Sequence, residues 1–394
     1  MTEASDTRLR VLSVTTSYPR RPGDFSGHFV HALNARLVEL GHEVTVLAPH
    51  AEGLADEETL DGVRVVRFRY GPEALERVAY GDGIPSNLRN DRRAVLGLPG
   101  FALGLRAAVR AHAGRADVVH VNWAPTAALA GRALAGSTVV LTLHGSDATL
   151  ARRGGVWKWL LVAGLRRALR VVVVANDQAA FLRAAGLTDR PVLTIASGVD
   201  PSLLERTRAT RDADAPFTFL FAGRLIPAKG VRDLFEAYRR LARAHDDLRL
   251  TFAGGGPEED ALRERAVAAG LSGRVRFLGV VSHEDALDAI AAADALVLPS
   301  HGEGSPLSVT EALALGTPVV GTRVGAVPEL LGPDGLLTDA GDIDALAHAM
   351  GRLFDDEHLR EQLAREGRAR AAACYTWPKV AEAYMRVYRE VTGE

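Results

Sequence analysis

The chain has 394 residues with 47 basic and 49 acidic side chains, which gives a formal net charge of −2. This length exceeds that of one ordinary hydrophobic core, so two domains are expected, and the near-neutral charge excludes a general attraction to nucleic acid. The single cysteine, Cys374, excludes an intramolecular disulfide and a cysteine-based zinc site.

Strand-like and helical patterns alternate through the first half of the chain. The pattern predicts buried strands at 10–16, 43–48, 63–68, 117–121, 138–143, 171–174 and 192–195. It predicts helices at 27–40, 94–112, 124–135, 154–169 and 177–185. Gly41 is placed to end the first helix, and residues 71–92, which contain several Gly, Pro and Asn, are predicted to be a long surface loop.

The alternation stops in the charged segment 203–216 and then starts again, so this segment is the predicted interdomain linker. The second half predicts strands at 217–222, 248–253, 274–278, 295–298 and 318–321. Its predicted helices are 230–244, 257–269, 283–292, 308–315, 342–354, 357–372 and a last one to about 391. The fold class is therefore α/β, with two doubly wound, Rossmann-like domains facing a cleft and ligands at the carboxyl ends of the strands.

The stretch from Pro299 to Leu313 joins a buried strand to a helix through a polar, Gly-rich loop. Proline suits the first helical position, so the helix is predicted to begin near Pro306, and its unpaired N–H groups favour an anion. Glu303 lies in the loop and Glu311 about five residues inside the helix. At a rise of 1.5 Å per residue that offset is roughly 7–8 Å, about the span from a nucleotide's phosphates to its ribose. The stretch therefore predicts a nucleotide-sugar site.

Two cations lie in the loop that follows the first strand of the second half. Arg224 and Lys229 are flanked by Gly223 and Gly230. Arginine can hold a phosphate at two points and lysine acts as a mobile charge. The alternative is that both are solvated surface charges, as most Lys and Arg are.

The first half offers a glycine and two histidines as candidates. The loop after the first strand lacks the dinucleotide pattern G-x-G-x-x-G. Gly27 at the end of this loop either lets a backbone approach a phosphate closely or is an ordinary turn glycine. His144 follows a strand, where such folds build sites, although a structural turn histidine explains it equally well. His120, inside a strand, is interpreted as structural.

Two Asp-x-Asp strings are candidates for the divalent ion of metal-dependent sugar transferases. One is Asp212-Ala-Asp214 in the linker and the other is Asp342-Ile-Asp344 at a helix start, where Asp caps N–H groups. Both are interpreted as structural, so no metal is predicted.

Taken together, these strings resemble the retaining nucleotide-sugar glycosyltransferases with the GT-B fold, family 4. The matching strings are Gly27, His144-Gly-Ser-Asp, Ser197-Gly-Val-Asp200, Gly223-Arg-x4-Lys229-Gly230, Gly254-x-Gly256-Pro257 and Glu303-x7-Glu311. Their order and spacing span most of the chain. The resemblance implies an N-terminal acceptor-side domain over 1–205, a donor domain over 206–376 and a terminal helix, 377–394, that crosses back to the first domain.

The resemblance also implies roles for individual residues. Arg224 and Lys229 would neutralise the donor diphosphate as charge develops on the leaving group, so that no metal or other cofactor is needed. Glu311 would bind the ribose diol, Glu303 the donor sugar's hydroxyls, Val281 the base, and His144 would lie beside the sugar. Gly27 would let the first domain close over the diphosphate. The remaining donor-binding positions are Gly223, Gly304, Ser305, Pro306, Leu307 and Ser308.

The implied function is transfer of a sugar from a UDP- or GDP-linked donor to an acceptor hydroxyl with retention of anomeric configuration. The expected setting is synthesis of cell-surface glycan, glycolipid or polysaccharide. Two positions depart from the family pattern: Ser305-Pro306 stands where many members have Phe-Gly, and Ser197 where Asn is frequent. The donor sugar therefore stays open. The alternatives are a nucleotide-sugar epimerase on the same architecture and a non-catalytic protein that binds sugar nucleotides.

The acceptor side contains one further feature, a basic segment over 151–170 with Trp157 and Trp159. It suits either the anionic surface of a membrane, with a lipid-linked or glycan acceptor, or a domain helix with its apolar face in the core, which is the favoured interpretation. The N-terminus lacks a signal-peptide pattern, and no run approaches about 18 apolar residues. A cytoplasmic protein is expected, with peripheral membrane contact left open.

Overall fold

A computed structural model describes residues 8–21, 23–81, 83–206 and 215–393. The described residues form two compact units. The first comprises the chain up to Val174, Gln178–Ile195 and the residues from Val380 onward, and the second comprises Ala175–Asp177 and Ala196–Lys379. The chain thus leaves the first unit after Ile195, before the predicted boundary at 205, and re-enters it at Val380. The linker residues 207–214, with Asp212 and Asp214, lie outside the described residues.

The first unit is built on an eight-stranded sheet in the order β3-β4-β2-β1-β5-β6-β7-β8. All neighbours are parallel except β3, which is antiparallel to β4. The sequence did not predict β3, because Glu-Glu-Thr-Leu at a sheet edge contains no buried apolar run. The strands are β1 Arg10–Val14, β2 Glu43–Pro49, β3 Glu57–Leu60, β4 Val63–Phe68, β5 Val118–Asn122, β6 Val139–Leu143, β7 Arg170–Val173 and β8 Val192–Thr194.

The helices of this half of the chain follow the predicted order, with shorter bounds in places. The segment predicted at 124–135 is a helix only to Ala130 and continues as a 3₁₀ turn to Leu134. The helices are α1 His28–Glu39, α2 Ile84–Asn90, α3 Arg92–Ala113, α4 Ala124–Ala130, α5 Ser146–Ala151, α6 Gly155–Leu165 and α7 Asn176–Ala184.

The predicted surface loop over 71–92 is wrong. This segment contains a 3₁₀ turn and α2, and it carries buried side chains. Buried Glu76 accepts a hydrogen bond from the main-chain N–H of Tyr70 at 3.0 Å and contacts buried His50 at 2.5 Å. Asn87 donates its side-chain amide to the carbonyl of Tyr80 at 2.9 Å. The turns of this segment are therefore held by hydrogen bonds to buried groups.

The second unit is built on a six-stranded, fully parallel sheet in the order β11-β10-β9-β12-β13-β14. Counted from its own first strand this is the 3-2-1-4-5-6 order of a Rossmann fold. The strands are β9 Phe217–Ala222, β10 Leu248–Ala253, β11 Val275–Gly279, β12 Ala295–Leu298, β13 Val319–Thr322 and β14 Leu336–Thr338. The helices are α8 Val231–Leu241, α9 Glu259–Ala268, α10 His283–Ala292, α11 Leu307–Leu315, α12 Val327–Leu331, α13 Ile343–Asp355 and α14 Glu357–Arg370.

The last helix, α15 (Trp377–Thr392), returns to the first unit from Val380 onward, as the resemblance implies. Its Tyr388 hydroxyl contacts Nδ1 of His120 at 2.8 Å, and Tyr384 contacts Thr142 at 3.1 Å. Nε2 of His120 contacts Thr142 at 2.8 Å. Burial lowers the pKa of His120 to about 3, so this histidine is neutral and structural, as predicted.

Candidate functional site

The predicted cations and Glu303 follow two adjacent strands of the second sheet. β9 pairs with β12 through Phe219 and Ala295, and the strand order reverses between them. The loop after β9 carries Arg224 and Lys229, and the loop after β12 carries Glu303. In open α/β sheets this switch point at the carboxyl ends is where ligands bind.

These two loops are in direct contact through their backbones. The N–H of His301 donates to the carbonyl of Ala228 at 2.9 Å. Gly230 has a φ of +64°, and a Cβ built there would lie 2.0 Å from the carbonyl oxygen of Pro299. Only glycine allows this approach. The glycine that follows Lys229 therefore sets how closely the two loops lie.

Lys229 and Glu303 form an ion pair at this contact. Nζ of Lys229 lies 2.6 Å from Oε1 of Glu303, and the hydroxyl of Ser300 donates to the same oxygen at 2.6 Å. Thr322 in turn donates to the carbonyl of Ser300 at 2.6 Å. The side chain of Glu303 is 6% exposed. Within the described chain no donor contacts its Oε2. One carboxylate oxygen is thus held by the protein while the other can accept from a ligand.

Arg224 is exposed, and within the described ranges its guanidinium makes no hydrogen bond or ion pair. Two main-chain hydrogen bonds hold its loop. The N–H of Gly223 donates to the carbonyl of Ala253 at 2.9 Å, and the N–H of Leu225 donates to the carbonyl of Gly255 at 2.9 Å. A Cβ on Gly254 would lie 2.0 Å from the carbonyl oxygen of Gly223. The glycines of the 254–256 string thus position this loop, and Arg224 is available for a ligand.

The loop before α11 presents main-chain donors. Helix α11 begins at Leu307, next to its predicted start near Pro306, and Pro306 is its cap and supplies no N–H. In the part of the chain that is described, the N–H groups of Ser305, Leu307 and Ser308 have no partner. The N–H of Ser197 donates to the Ser305 hydroxyl at 3.0 Å, and this bond helps to hold the loop. This helix start is suited to an anion.

The other side of α11 carries Glu311, which is buried. Its Oε1 lies 2.8 Å from Nε2 of His283, which begins α10 two residues after half-buried Val281. Ser282 caps α10 by accepting from the N–H of Asp285 at 3.1 Å. The hydrogen bond to Glu311 raises the pKa of His283 above its ordinary value. The sequence did not single out His283, because one histidine at a helix start carries no distinctive spacing.

This contact makes a pH-dependent contribution to stability that can be measured. Because the folded-state pKa of His283 is raised, the contribution is complete below about 6.5, the unfolded value, and is lost as the pH rises through the folded value. His283→Gln is expected to lower Tm near pH 5.5 and to have less effect near pH 8.5. The loss should be a fraction of a kcal/mol, since the side chain is partly exposed. Melting curves at both pH values check this; an equal loss at both would contradict it.

His144, in the first unit, is held by the loop that follows β6. Its Nε2 contacts Oδ1 of Asn122 at 2.9 Å. The Asn122 amide faces the carbonyl of Val14 at 3.4 Å, so Oδ1 is the acceptor and Nε2 of His144 is the donor. Burial lowers the pKa of His144 to about 3. The imidazole is therefore neutral, with a lone pair on Nδ1.

Buried Asp147 fixes the loop around His144. It accepts from the N–H of Ala124 at 2.8 Å and from that of His144 at 3.0 Å. The sequence placed Asp147 only within the His-Gly-Ser-Asp string. Its contacts show that it joins the start of α4 to the end of β6.

Replacing Asp147 by alanine is expected to cost about 2–4 kcal/mol of unfolding free energy, because two main-chain donors lose their acceptor in a buried position. Urea unfolding of Asp147→Ala measures this. Asp189→Ala, at an exposed carboxylate of the same unit, is the control. Equal midpoints for the two variants would contradict the assignment.

Gly27 precedes α1 with a φ of +66°, and a Cβ there would lie 2.1 Å from the carbonyl oxygen of Ser17. The close approach that requires glycine is therefore made to its own chain, which explains the residue without a ligand. Its predicted role at a phosphate stays a prediction.

The Asp-x-Asp string at 342–344 is structural, as predicted, because Asp342 caps α13 by accepting from Ala345 at 2.9 Å. No group of three or more His, Cys, Asp and Glu side chains that could hold a metal ion occurs in the described residues.

Comparisons with known proteins match both halves of the chain. The family model "Glycosyltransferase Family 4" matches residues 26–203, and "Glycosyl transferases group 1" matches residues 205–370. The chain is 30% identical to the glycogen synthase of Mycobacterium tuberculosis, over 96% of this chain and 94% of that one. It is also 30% identical to the MMP alpha-(1->4)-mannosyltransferase of Mycolicibacterium hassiacum, over 92% of this chain and 94% of that one.

Solved structures share the fold. Sucrose-phosphate synthase from Thermosynechococcus elongatus superposes with a TM-score of 0.80 at 22% identity, over 98% of this chain and 100% of that one. This likeness confirms the fold that the resemblance implies, GT-B with two Rossmann-like domains.

Proposed function

The chain belongs to the family 4, group 1 glycosyltransferases, and we propose that it transfers a sugar from a nucleoside diphosphate donor to an acceptor hydroxyl with retention of anomeric configuration and without a metal. The observation that carries the proposal is the Lys229–Glu303 ion pair at the switch point of the second sheet. There a phosphate-binding cation and a carboxylate that can accept from sugar hydroxyls share one site.

The proposed role of the cations concerns the leaving group. When the bond between the anomeric carbon and the donor's phosphate oxygen breaks, negative charge develops on the diphosphate. Arg224, Lys229 and the free N–H groups before α11 are the donors proposed to stabilise that charge. Such fixed positive charge would supply what a divalent ion supplies in metal-dependent transferases.

The proposed role of Glu303 follows from its two oxygens. Oε1 is bound by Lys229 and Ser300, and Oε2 faces no described protein donor. When the diphosphate attracts Lys229, Ser300 still orients the carboxylate, so Glu303 can accept from hydroxyls of the donor sugar. Glu311 would accept from the ribose diol in the same way, with His283 orienting it.

The acceptor side of the proposal rests on the first unit. By family resemblance we assign His144 to the donor sugar, because its neutral imidazole has a lone pair on Nδ1 that can accept a hydrogen bond from a sugar hydroxyl. The acceptor is proposed to be a glycan or a lipid-linked sugar in polysaccharide or glycolipid synthesis. The cytoplasmic location also remains a proposal.

Titration calorimetry with UDP, GDP and their sugar conjugates tests the donor assignment, and the anomeric configuration of the product, read by NMR, tests retention. Turnover in EDTA tests metal independence. A new sugar nucleotide formed from donor alone would indicate an epimerase instead, and donor binding without turnover with any hydroxyl acceptor would indicate a binding protein.

A further inference from the structure

The first unit carries a surface that is both apolar and basic. Residues 91–174 hold 12 Lys and Arg side chains and only three carboxylates, Asp91, Asp117 and Asp147, in a chain whose net charge is −2. All three are engaged, since Asp91 caps α3, Asp117 pairs with Arg10 at 2.6 Å and Asp147 binds main-chain N–H groups. The same segment contains several of the most exposed large apolar side chains of the described chain.

Helix α3 supplies one part of this surface. Its Leu96 and Leu103 are 69% and 64% exposed and lie seven residues apart, so they share a helix face. Pro99 and Ala107 on that face are exposed too, and arginines stand at both ends of it, at 92 and 110. The helix contains no acidic residue. The apolar part of the face is about 16 Å long at 1.5 Å per residue.

Helix α3 is packed into the core of the unit by its inner face, so its exposed outer face belongs to a helix in its folded position. By length and composition alone α3 could cross a membrane, but its Phe101, Leu105 and Val109 are fully buried. Gly100 and Gly104 lie so close to residues 69 and 70 that a Cβ would meet their carbonyl oxygens. The inner face is thus fixed to the unit, and only the outer face is available.

Helix α6 supplies the second part. Trp159 is 65% exposed and lies three residues after exposed Val156. Exposed basic residues precede, interrupt and follow the helix, at 152, 153, 158, 166 and 167. The favoured sequence interpretation, a domain helix with its apolar face in the core, holds for buried Leu161 and Leu165, and Val156 and Trp159 lie outside that buried face.

Helix α4 joins the two parts. It packs against both α3 and α6. Nε of Arg106 on α3 donates to the carbonyl of Leu129 on α4 at 2.7 Å, and a Cβ on Gly164 of α6 would lie 2.4 Å from the carbonyl of Ala124. Helices α3 and α6 are therefore both fixed to α4, so their exposed faces lie on helices of one packed group in the same unit.

We propose that this α3–α6 surface docks on an anionic phospholipid bilayer. Leucine, valine and tryptophan side chains enter the interface between headgroups and acyl chains, while arginines at the rim pair with lipid phosphates. Apolar side chains alone would suit a second copy of the chain equally well. A second copy would, however, place this cluster of cations against the same cluster, which costs free energy, whereas an anionic bilayer neutralises it. The positive charge of this surface therefore favours an anionic bilayer over a second copy of the chain.

The test is co-sedimentation of the full chain with vesicles of phosphatidylcholine, with and without phosphatidylglycerol. Wild type is expected to bind the anionic vesicles and to lose binding in high salt. Leu96→Gln with Leu103→Gln, Trp159→Gln, and Arg166→Glu with Arg167→Glu should each lower the partition coefficient by about tenfold or more. Helix α9 carries an exposed arginine and an exposed valine in the other unit, so Arg265→Glu and Val267→Gln are matched controls expected to bind as wild type.

Melting temperature and donor hydrolysis in solution should be unchanged in all these variants, because none of the residues belongs to the proposed site. Vesicle binding is measured without turnover, so this experiment can contradict the docking proposal without contradicting the proposed function, and the reverse. Wild type that binds neither vesicle, or both equally, overturns the proposal. So does a dimer in light scattering that the paired Leu96→Gln and Leu103→Gln substitutions dissociate, since the occupant would then be a second copy.

Discussion

Replacing Lys229 by methionine is expected to lower donor turnover by about 10²–10³-fold. The methionine keeps most of the apolar stem and removes the charge proposed to stabilise the diphosphate as it leaves, and the loss of one such fixed donor typically costs this much in kcat. Because the charge is needed most in the transition state, kcat should fall more than the apparent donor affinity. Stopped assays of sugar release from the donor measure both.

The control is Lys158→Met, at an exposed lysine of the other unit. This variant should turn over donor as wild type does.

A double-mutant cycle tests the ion pair itself. Lys229 and Glu303 touch at 2.6 Å, so Lys229→Met and Glu303→Gln should be strongly non-additive in turnover. Near-wild-type turnover of Lys229→Met, with folding intact, would contradict the assignment of the site.

The sequence predicted that Lys229 and Glu303 serve one ligand, but not that they bind each other. Strand periodicity placed both residues after buried strands, and parallel strands end at a common edge. The 3-2-1-4-5-6 order, which makes β9 and β12 neighbours, is a property of the whole sheet and appears in no local pattern. Ser300 was missed for the same reason. A serine that follows a strand is common, and nothing in the sequence shows that the carboxylate of Glu303, three residues later, accepts a hydrogen bond from it.

The glycines show a second limit of prediction from sequence. The sequence left Gly27 either beside a phosphate or in an ordinary turn, and the structure shows a close approach to the carbonyl oxygen of Ser17. The pattern identified where the backbone is crowded but not what crowds it. Similarly, Gly, Pro and Asn over 71–92 indicated turns correctly, yet whether these turns are buried depends on contacts such as that of Glu76 with His50, which is 26 residues away in the sequence.

Replacing Gly230 by alanine is expected to destabilise the second unit and to lower donor turnover by about 10²-fold. The new Cβ would lie 2.0 Å from the carbonyl oxygen of Pro299, so the loop carrying Lys229 and the loop carrying Glu303 must move apart. A displacement of about 1 Å at a site that depends on positioning has effects of this size.

Gly270 separates this clash from simple backbone strain. Its φ of +69° is close to the +64° of Gly230, and a Cβ there would meet nothing within 4 Å. Gly270→Ala should therefore cost only the left-handed conformation, about 1–2 kcal/mol, and leave turnover unchanged. Gly230→Ala should cost more by thermal unfolding and should also lose turnover. If the two variants behaved alike in both measurements, the contact between the loops would not be what positions Lys229, and the site would have to be organised by the 254–256 glycines instead.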